Sequence, residues 1–287
     1  MKISVIDVGS NSVRLATLAD GKTLYKRLCT TRLGEGLSLT GKLSCEAIKR
    51  TAEAVNLFCG QASKDGAERV YVFATAAVRS SVNGNDFVKY LKDKNGIEVD
   101  VISGEQEAEI GALGALGDSD GGIIDIGGAS TEIMLRKGGK IIYSKSVDIG
   151  TVRLHDLAQR NKALLEKVIA EKIEEYGNLK AEGIDMYAIG GTASRLASIK
   201  CGLTEYRPEI TSGTKLTVAL LETYSDMLLE KPVEEIRNTT ICKTSADIMG
   251  GGCLLLTMIL KKIGVKEVTV SEADNIEGYY LLKEGVK

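Results

Sequence analysis

The chain has no tryptophan and only three phenylalanines, which excludes an aromatic platform for stacking single-stranded bases. It has one histidine, His155, so neither a multi-histidine metal site nor a Ser-His-Asp triad finds support. None of the six cysteines forms a CxxC pair, which removes the usual zinc-knuckle and redox signatures; reduced thiols are expected. A formal charge of −2 argues against bulk electrostatic binding to a nucleic acid polymer or a membrane. No apolar run approaches the roughly 18 residues of a membrane helix. The first residues enter a strand pattern without a signal-peptide core, so a cytoplasmic setting is expected.

What the sequence does contain is a repeat. Residues 3–25 align on residues 121–143 at an offset of 118, with seven identities in 23 positions. Asp7 meets Asp125, Gly9 meets Gly127, Ser12 meets Ser130 and Tyr25 meets Tyr143. Each copy reads as strand, tight turn, strand, glycine hairpin and third strand. The remainder alternates strands and helices, among them expected helices at Ser44–Gly66, Asn85–Gly96, Gly104–Leu116 and Ala158–Tyr176, and one from about Ile276. This pattern predicts an α/β protein of two duplicated domains around a central cleft. The boundary is expected in "GDSDGG", giving domains 1–117 and 118–287, with the C-terminal helix (about 276–287) packing back on the first.

Three glycine turns follow strands: "DVGSNS", "DIGGAS" and "IGGTAS". Exposed backbone N–H groups and small hydroxyls make such turns anion cradles. Candidate phosphate ligands are Ser10, Asn11 and Ser12, then Gly127, Gly128 and Ser130, then Gly191 and Thr192. Asp7 and Asp125 stand at matching points beside these turns and would repel an anion. A divalent cation such as Mg²⁺, which needs few carboxylates and bridges to phosphate oxygens, resolves this. Glu132 is expected to join them as a metal ligand.

"SGEQEAEIGALG" opens with a capping box, Ser103 and Gln106. Glu107, Gly111 and Gly114 share one face of its helix, and the bare surface beside the carboxylate is expected to border the cleft. The helix dipole is expected to keep Glu107 ionised as a base for water. Arg79, after a buried strand, offers a fork for phosphate oxygens.

Eight stretches in order, "VIDVGSNSVRL", "RLGEGL", "FATAAVRSSVN", "VISGEQEAEIGALG", "IIDIGGASTEI", "DIGTVRL", "AIGGTASRLA" and "ADIMGGG", resemble the exopolyphosphatase/guanosine pentaphosphate phosphatase (Ppx/GppA) family. The resemblance covers nearly the whole chain. It implies two ribonuclease-H-like domains of the actin-like ATPase and sugar-kinase superfamily. It also implies Mg²⁺-assisted hydrolysis of a terminal phosphoanhydride in polyphosphate or guanosine pentaphosphate. The family's catalytic glutamate falls on Glu107, its phosphate-contacting arginine on Arg79, and its second-loop acids on Asp125 and Glu132. Its phosphate loops fall on Ser10 to Ser12 and on Gly127, Gly128 and Ser130.

The chain departs from the family pattern at Ala129 (a glycine in D-I-G-G-G-S), Gln106, Glu109 (usually arginine), Ser245 (the arginine of R-A-D-I) and in "VSEADN". It also lacks a long helical C-terminal extension, which makes tracking of extended polyphosphate less expected. The departures at Ala129, Glu109 and Ser245 motivate one rival reading, a non-catalytic polyphosphate or alarmone sensor. An ATP-dependent small-molecule kinase stands behind it. Oligomeric state is left open, with a homodimer as one option.

Overall fold

The computed structural model describes residues 1–285; residues 286 and 287, the end of the expected C-terminal helix, lie outside them. The strands are β1 Lys2–Val8, β2 Ser12–Ala19, β3 Lys22–Thr30, β4 Arg69–Ala74, β5 Asp100–Val101, β6 Gly121–Ile126, β7 Thr131–Lys137, β8 Lys140–Val147, β9 Met186–Ile189, β10 Lys215–Thr217 and β11 Glu267–Val270. They form two sheets, ordered β3-β2-β1-β4-β5 and β10-β11-β9-β6-β7-β8. The second sheet repeats the first: β6 to β8 stand for β1 to β3, β9 for β4 and β11 for β5, with β10 added at the edge.

The duplication extends to register. Asp7 pairs across β1–β2 with Arg14, and Asp125 pairs across β6–β7 with Glu132. The register shift between Thr17 and Leu18 recurs between Leu135 and Arg136, at the same offset of 118. Both central strands are buried along nearly their full length, as strands covered on two faces require. Both hairpin tips, Asp20–Gly21 and Gly138–Gly139, have two consecutive positive φ angles, the backbone a two-residue turn between right-twisted strands demands.

The helices that position the site are α1 Cys45–Lys64, α2 Gly84–Asn95, α3 Gly104–Leu116, α4 Gly190–Lys200, α5 Met249–Ile263 and α6 Asn275–Glu284. Ser44 caps α1 by accepting from the Ala47 N–H, and Ile48, Ala52, Val55 and Phe58 bury one face of it. The helix expected over Ala158–Tyr176 starts later, because a preceding helix, Thr151–Ala158, ends where it was to begin. Gln159 takes φ +49°, Asn161 caps a new start, and the helix runs Lys162–Ile173 before a short 3-10 turn. The stretch "EVDVIS" (Glu98 to Ser103) reads as a strand in the sequence, yet only Asp100–Val101 forms one.

Helix α3 lies between the two sheets. Its Ile110 packs with Ile3, Val5 and Phe73 of the first sheet, while Ala108, Ala112 and Leu116 pack with Ile123, Met134 and Ile189 of the second. Helix α6 joins the first-sheet core through Ile276, Tyr279 and Tyr280, with the Tyr279 ring stacked on Phe73 at 4.5 Å. Among the described residues no helix is long and apolar enough to cross a membrane, and all six cysteines are free.

Candidate active site between the duplicated turns

The two repeated turns fold alike and meet. Gly9 N–H donates to the Ser12 carbonyl at 3.0 Å, and Gly127 N–H donates to that of Ser130 at 3.0 Å. A Cβ at Gly128 would lie 2.8 Å from the Ser10 Cβ and 3.1 Å from the Asn11 nitrogen, so only a bare backbone lets the turns touch. The third turn adds Gly190, at φ +80°. A Cβ there would meet the Asp125 carboxylate at 2.5 Å. Glycine is therefore required twice over, for conformation and for space.

These turns line one cavity. Of the residues singled out above, Asp7, Ser10, Asn11, Ser12, Glu107, Asp125, Gly127, Gly128, Ser130, Gly191 and Thr192 line it. Two do not. Glu132 lies fully buried on β7 behind the wall, with its Oε1 accepting from Ser146 Oγ at 2.7 Å. Arg79 is not in the cavity wall: its Nη1 donates to Glu107 Oε2 and to the Ile102 carbonyl, both at 2.9 Å. The arginine thus holds the carboxylate through Nη1.

Two expectations about the Glu107 helix need correction. The bare face at Gly111 and Gly114 does not border the cleft; helix α6 covers it. A Cβ at Gly111 would lie 2.7 Å from Asn275 Oδ1, and one at Gly114 would be driven into the Asp274 carbonyl. Nor does the helix dipole decide the charge of Glu107. Burial pushes its carboxyl up to about 8, with the Asp125 and Asp7 carboxylates adding to the rise and Arg79 opposing it. Desolvation outweighs a terminal dipole by size: burying a carboxylate costs several kcal/mol, whereas a helix terminus returns about 0.3–1 kcal/mol.

The other acids respond in the same way. Burial raises Asp125 to about 6. Burial, and then the charges of Glu107 and Asp125, hold Glu132 well above its ordinary value. Burial also raises Asp7, against the pull of Arg14.

Among the described residues no three His, Cys, Asp or Glu side chains converge as a ready chelate. Asp7, Asp125 and Glu132 do not converge on one point. Each has been drawn to its own donor: Asp7 Oδ2 to Arg14 Nε at 2.9 Å, Asp125 Oδ2 to Asn275 Nδ2 at 2.7 Å, and Glu132 to Ser146. Asp7 Oδ1 and Glu132 Oε2 nevertheless stay buried without a hydrogen-bond partner. Buried, orphaned carboxylate oxygens beside mutually repelling acids fit a divalent cation that takes one or two carboxylates and completes its shell elsewhere.

Sequence reasoning missed Arg14, Asp274 and Asn275. Arg14 pairs with Asp7 and with Asp274 at the N-cap of α6, and Asp274 falls below the usual carboxylate range because Arg14 and Lys26 prevail over its burial. Asn275 follows and reaches Asp125. One helix start thus ties the acids of both turns together. The capping pair Asp274 and Glu277 was legible as a helix start, but its reach to Arg14, 260 residues away, was not.

The departures noted above sort by position. Ala129 lines the cavity, yet it aligns with Asn11, so the first turn also carries a side chain there, and both turns keep the same closing bond. Ser245 lines the cavity with its hydroxyl unpartnered. Glu109 and Gln106 are exposed and stand clear of it.

Comparison with known proteins places the chain in a family. A family profile described as the Ppx/GppA phosphatase family matches residues 14–285. Exopolyphosphatase 2 of Mycobacterium tuberculosis is 28% identical, with 99% of each chain covered. Guanosine-5'-triphosphate,3'-diphosphate pyrophosphatase of Photobacterium profundum is 38% identical across 52% of this chain and 32% of its own. A crystal structure of the Aquifex aeolicus Ppx/GppA family member superposes with a TM-score of 0.77 at 28% identity, covering 100% of this chain and 99% of that one. The match runs through both duplicated turns' second strands, the Glu107 helix and the α6 clamp, and the chain belongs to the Ppx/GppA phosphatase family.

Proposed function

We propose that this cavity releases the terminal phosphate of inorganic polyphosphate or guanosine pentaphosphate by attack of water. One observation carries the reading: Glu107, held by Arg79, faces a cavity walled by two copies of the same glycine turn. The relatives named for those substrates support it. The backbone N–H groups and hydroxyls of Ser10 to Ser12, Gly127, Gly128, Ser130, Gly191 and Thr192 hold the phosphoryl oxygens. The two lobes face each other across the cavity, 1–117 with α6 supplying the first turn and the remainder the other two.

Glu107 orients the water and takes its proton. The water oxygen bonds to the terminal phosphorus, the bridging P–O bond breaks, and its electron pair leaves on the departing phosphate. A carboxyl near pKa 8 is a stronger base than an ordinary glutamate once it has lost its proton. Arg79 is a positioning residue that lowers the cost of ionising Glu107. Mg²⁺, held by Asp125 with Glu132 and Asp7 at hand, would supply positive charge for the phosphoryl oxygens. Such electrostatic positioning is most of what phosphoryl transfer requires.

The test is phosphate release from polyphosphate, guanosine pentaphosphate and ATP, with and without Mg²⁺. Release from either of the first two, dependent on the cation, is expected. Tight binding without release from any of them would overturn the reading.

A further inference from the structure

The cavity described above, about 100 Å³, adjoins a larger one of about 360 Å³. The two share Arg14, Gly190, Gly191 and Arg195 in their walls. Arg195 stands on α4, half-buried, and its Nη1 donates to the Gly191 carbonyl at 3.0 Å. No carboxylate lies within ion-pair distance of it among the described residues. Arg14 beside it differs, because Asp7 and Asp274 neutralise it.

The acids of the larger cavity are already engaged. Asp274 serves Arg14 and Lys26. Glu272 accepts from Ser194 Oγ at 3.0 Å, Tyr206 Oη at 2.5 Å and Thr211 Oγ1 at 2.5 Å. Among the described residues nothing answers the Arg195 charge. A guanidinium withdrawn from water without a counter-ion is costly, and burial together with the Arg14 charge weakens its hold on its own proton. An anion arriving at the junction of the two cavities relieves both.

We propose that Arg195 binds the first phosphoryl group of the leaving group, and that the larger cavity holds the rest of it. The inference rests on the phosphohydrolase reading. The smaller cavity is walled by the turns that hold the terminal phosphate, so the remainder of the substrate has to leave it, and Arg195 stands at the opening. The planar fork matches two phosphoryl oxygens. Negative charge grows on that group as the P–O bond breaks, where a fixed cation is most effective. Ser194, Ser198 and Tyr206 line the space beyond.

The experiment measures binding by calorimetry with Mg²⁺, in a Glu107→Gln background that prevents turnover. Ligands are inorganic phosphate, tripolyphosphate and GTP. Arg195→Gln is expected to weaken tripolyphosphate or GTP by about ten- to a hundredfold, the range of a charged hydrogen bond, and to leave inorganic phosphate within about twofold. Arg195→Lys restores part of the loss, which also shows that the fold is intact. A loss on tripolyphosphate assigns the larger cavity to a phosphate chain; a loss on GTP alone assigns it to a nucleotide. Equal binding by Arg195→Gln, or equal weakening of all three ligands, overturns the proposal. Failure of the Glu107-intact chain to release phosphate would sink the phosphohydrolase reading alone, since the binding comparison does not depend on turnover.

Discussion

Arg14 and Glu132 occupy the same position in the two copies of the repeat, each directly across a strand pair from an aspartate. In the first copy the pair is Asp7 with a guanidinium; in the second it is Asp125 with another acid. Duplication therefore built two equivalent hairpins, and one divergent residue left two acids facing each other in the second. Glu132→Gln is expected to shrink the rise in melting temperature caused by Mg²⁺ at pH 8 and to lower phosphate release. An undiminished Mg²⁺ shift would remove Glu132 from the cation's neighbourhood.

Arg14 supports two buried carboxylates at once. Arg14→Met strands Asp7 and Asp274, and stripping one partner from a buried pair costs about 3–5 kcal/mol. Urea unfolding measures this. Adding Asp274→Asn to that variant should recover part of the loss, and no recovery would show that the loss has another origin.

Glu107→Gln keeps the shape and hydrogen bonding of the side chain but cannot accept the water's proton. A loss of about 10²–10⁴ in kcat with KM little changed is expected; wild-type phosphate release would refute the assignment. Arg79→Gln acts differently. It removes the charge that opposes the rise of the Glu107 pKa, so the acid limb of the kcat/KM profile should move to higher pH. A profile displaced downward, with its limb unmoved, would mean that Arg79 does not act through Glu107.

Stability should depend on pH with an unusual sign. Glu107 and Asp125 hold protons in the folded chain up to about 8 and about 6, whereas the unfolded chain releases them near pH 4. The native state binds more protons in that window, so stability is full below it and falls as pH rises through it. Melting temperatures of the cation-free protein between pH 5 and 8.5 (roughly the span of these groups) should decline, and Mg²⁺ should reverse the decline. A melting temperature that climbs with pH would contradict the assigned burial effect.

The α3–α6 contact depends on bare backbone. A Cβ at Gly278 would be driven into the Ile110 carbonyl, which cannot swing aside as a side chain could. Gly278→Ala is expected to cost about 1–3 kcal/mol, as overpacking does, and to reduce activity by drawing Asn275 off Asp125. Calorimetry and phosphate release check the two effects; an unaltered melting temperature would mean that the helices are not in close contact.

Much of this was legible because it is local. Strand, glycine turn and strand follow one another in sequence, so "VIDVGSNSV" and "IIDIGGAST" announce the same hairpin and place their aspartates beside it. Ser103 and Gln106 announce the start of α3 for the same reason. The late start at Lys162 was not legible from apolar spacing, since the positive φ of Gln159 and the cap at Asn161 set it. Gly111 and Gly114 signalled a close approach but not its partner, because that partner lies at the far end of the chain.

The sequence by itself determined the repeat, the α/β class, the three turns and the acids beside them, since each is set by neighbours along the chain. Tertiary structure alone decided which acids face the cavity, that Arg79 serves Glu107, that α6 binds the two halves through Arg14 and Asn275, and that Arg195 has no counter-ion among the described residues. Those outcomes depend on burial and on partners up to 260 residues apart. Desolvation and ion pairing exist only once the chain has closed around them.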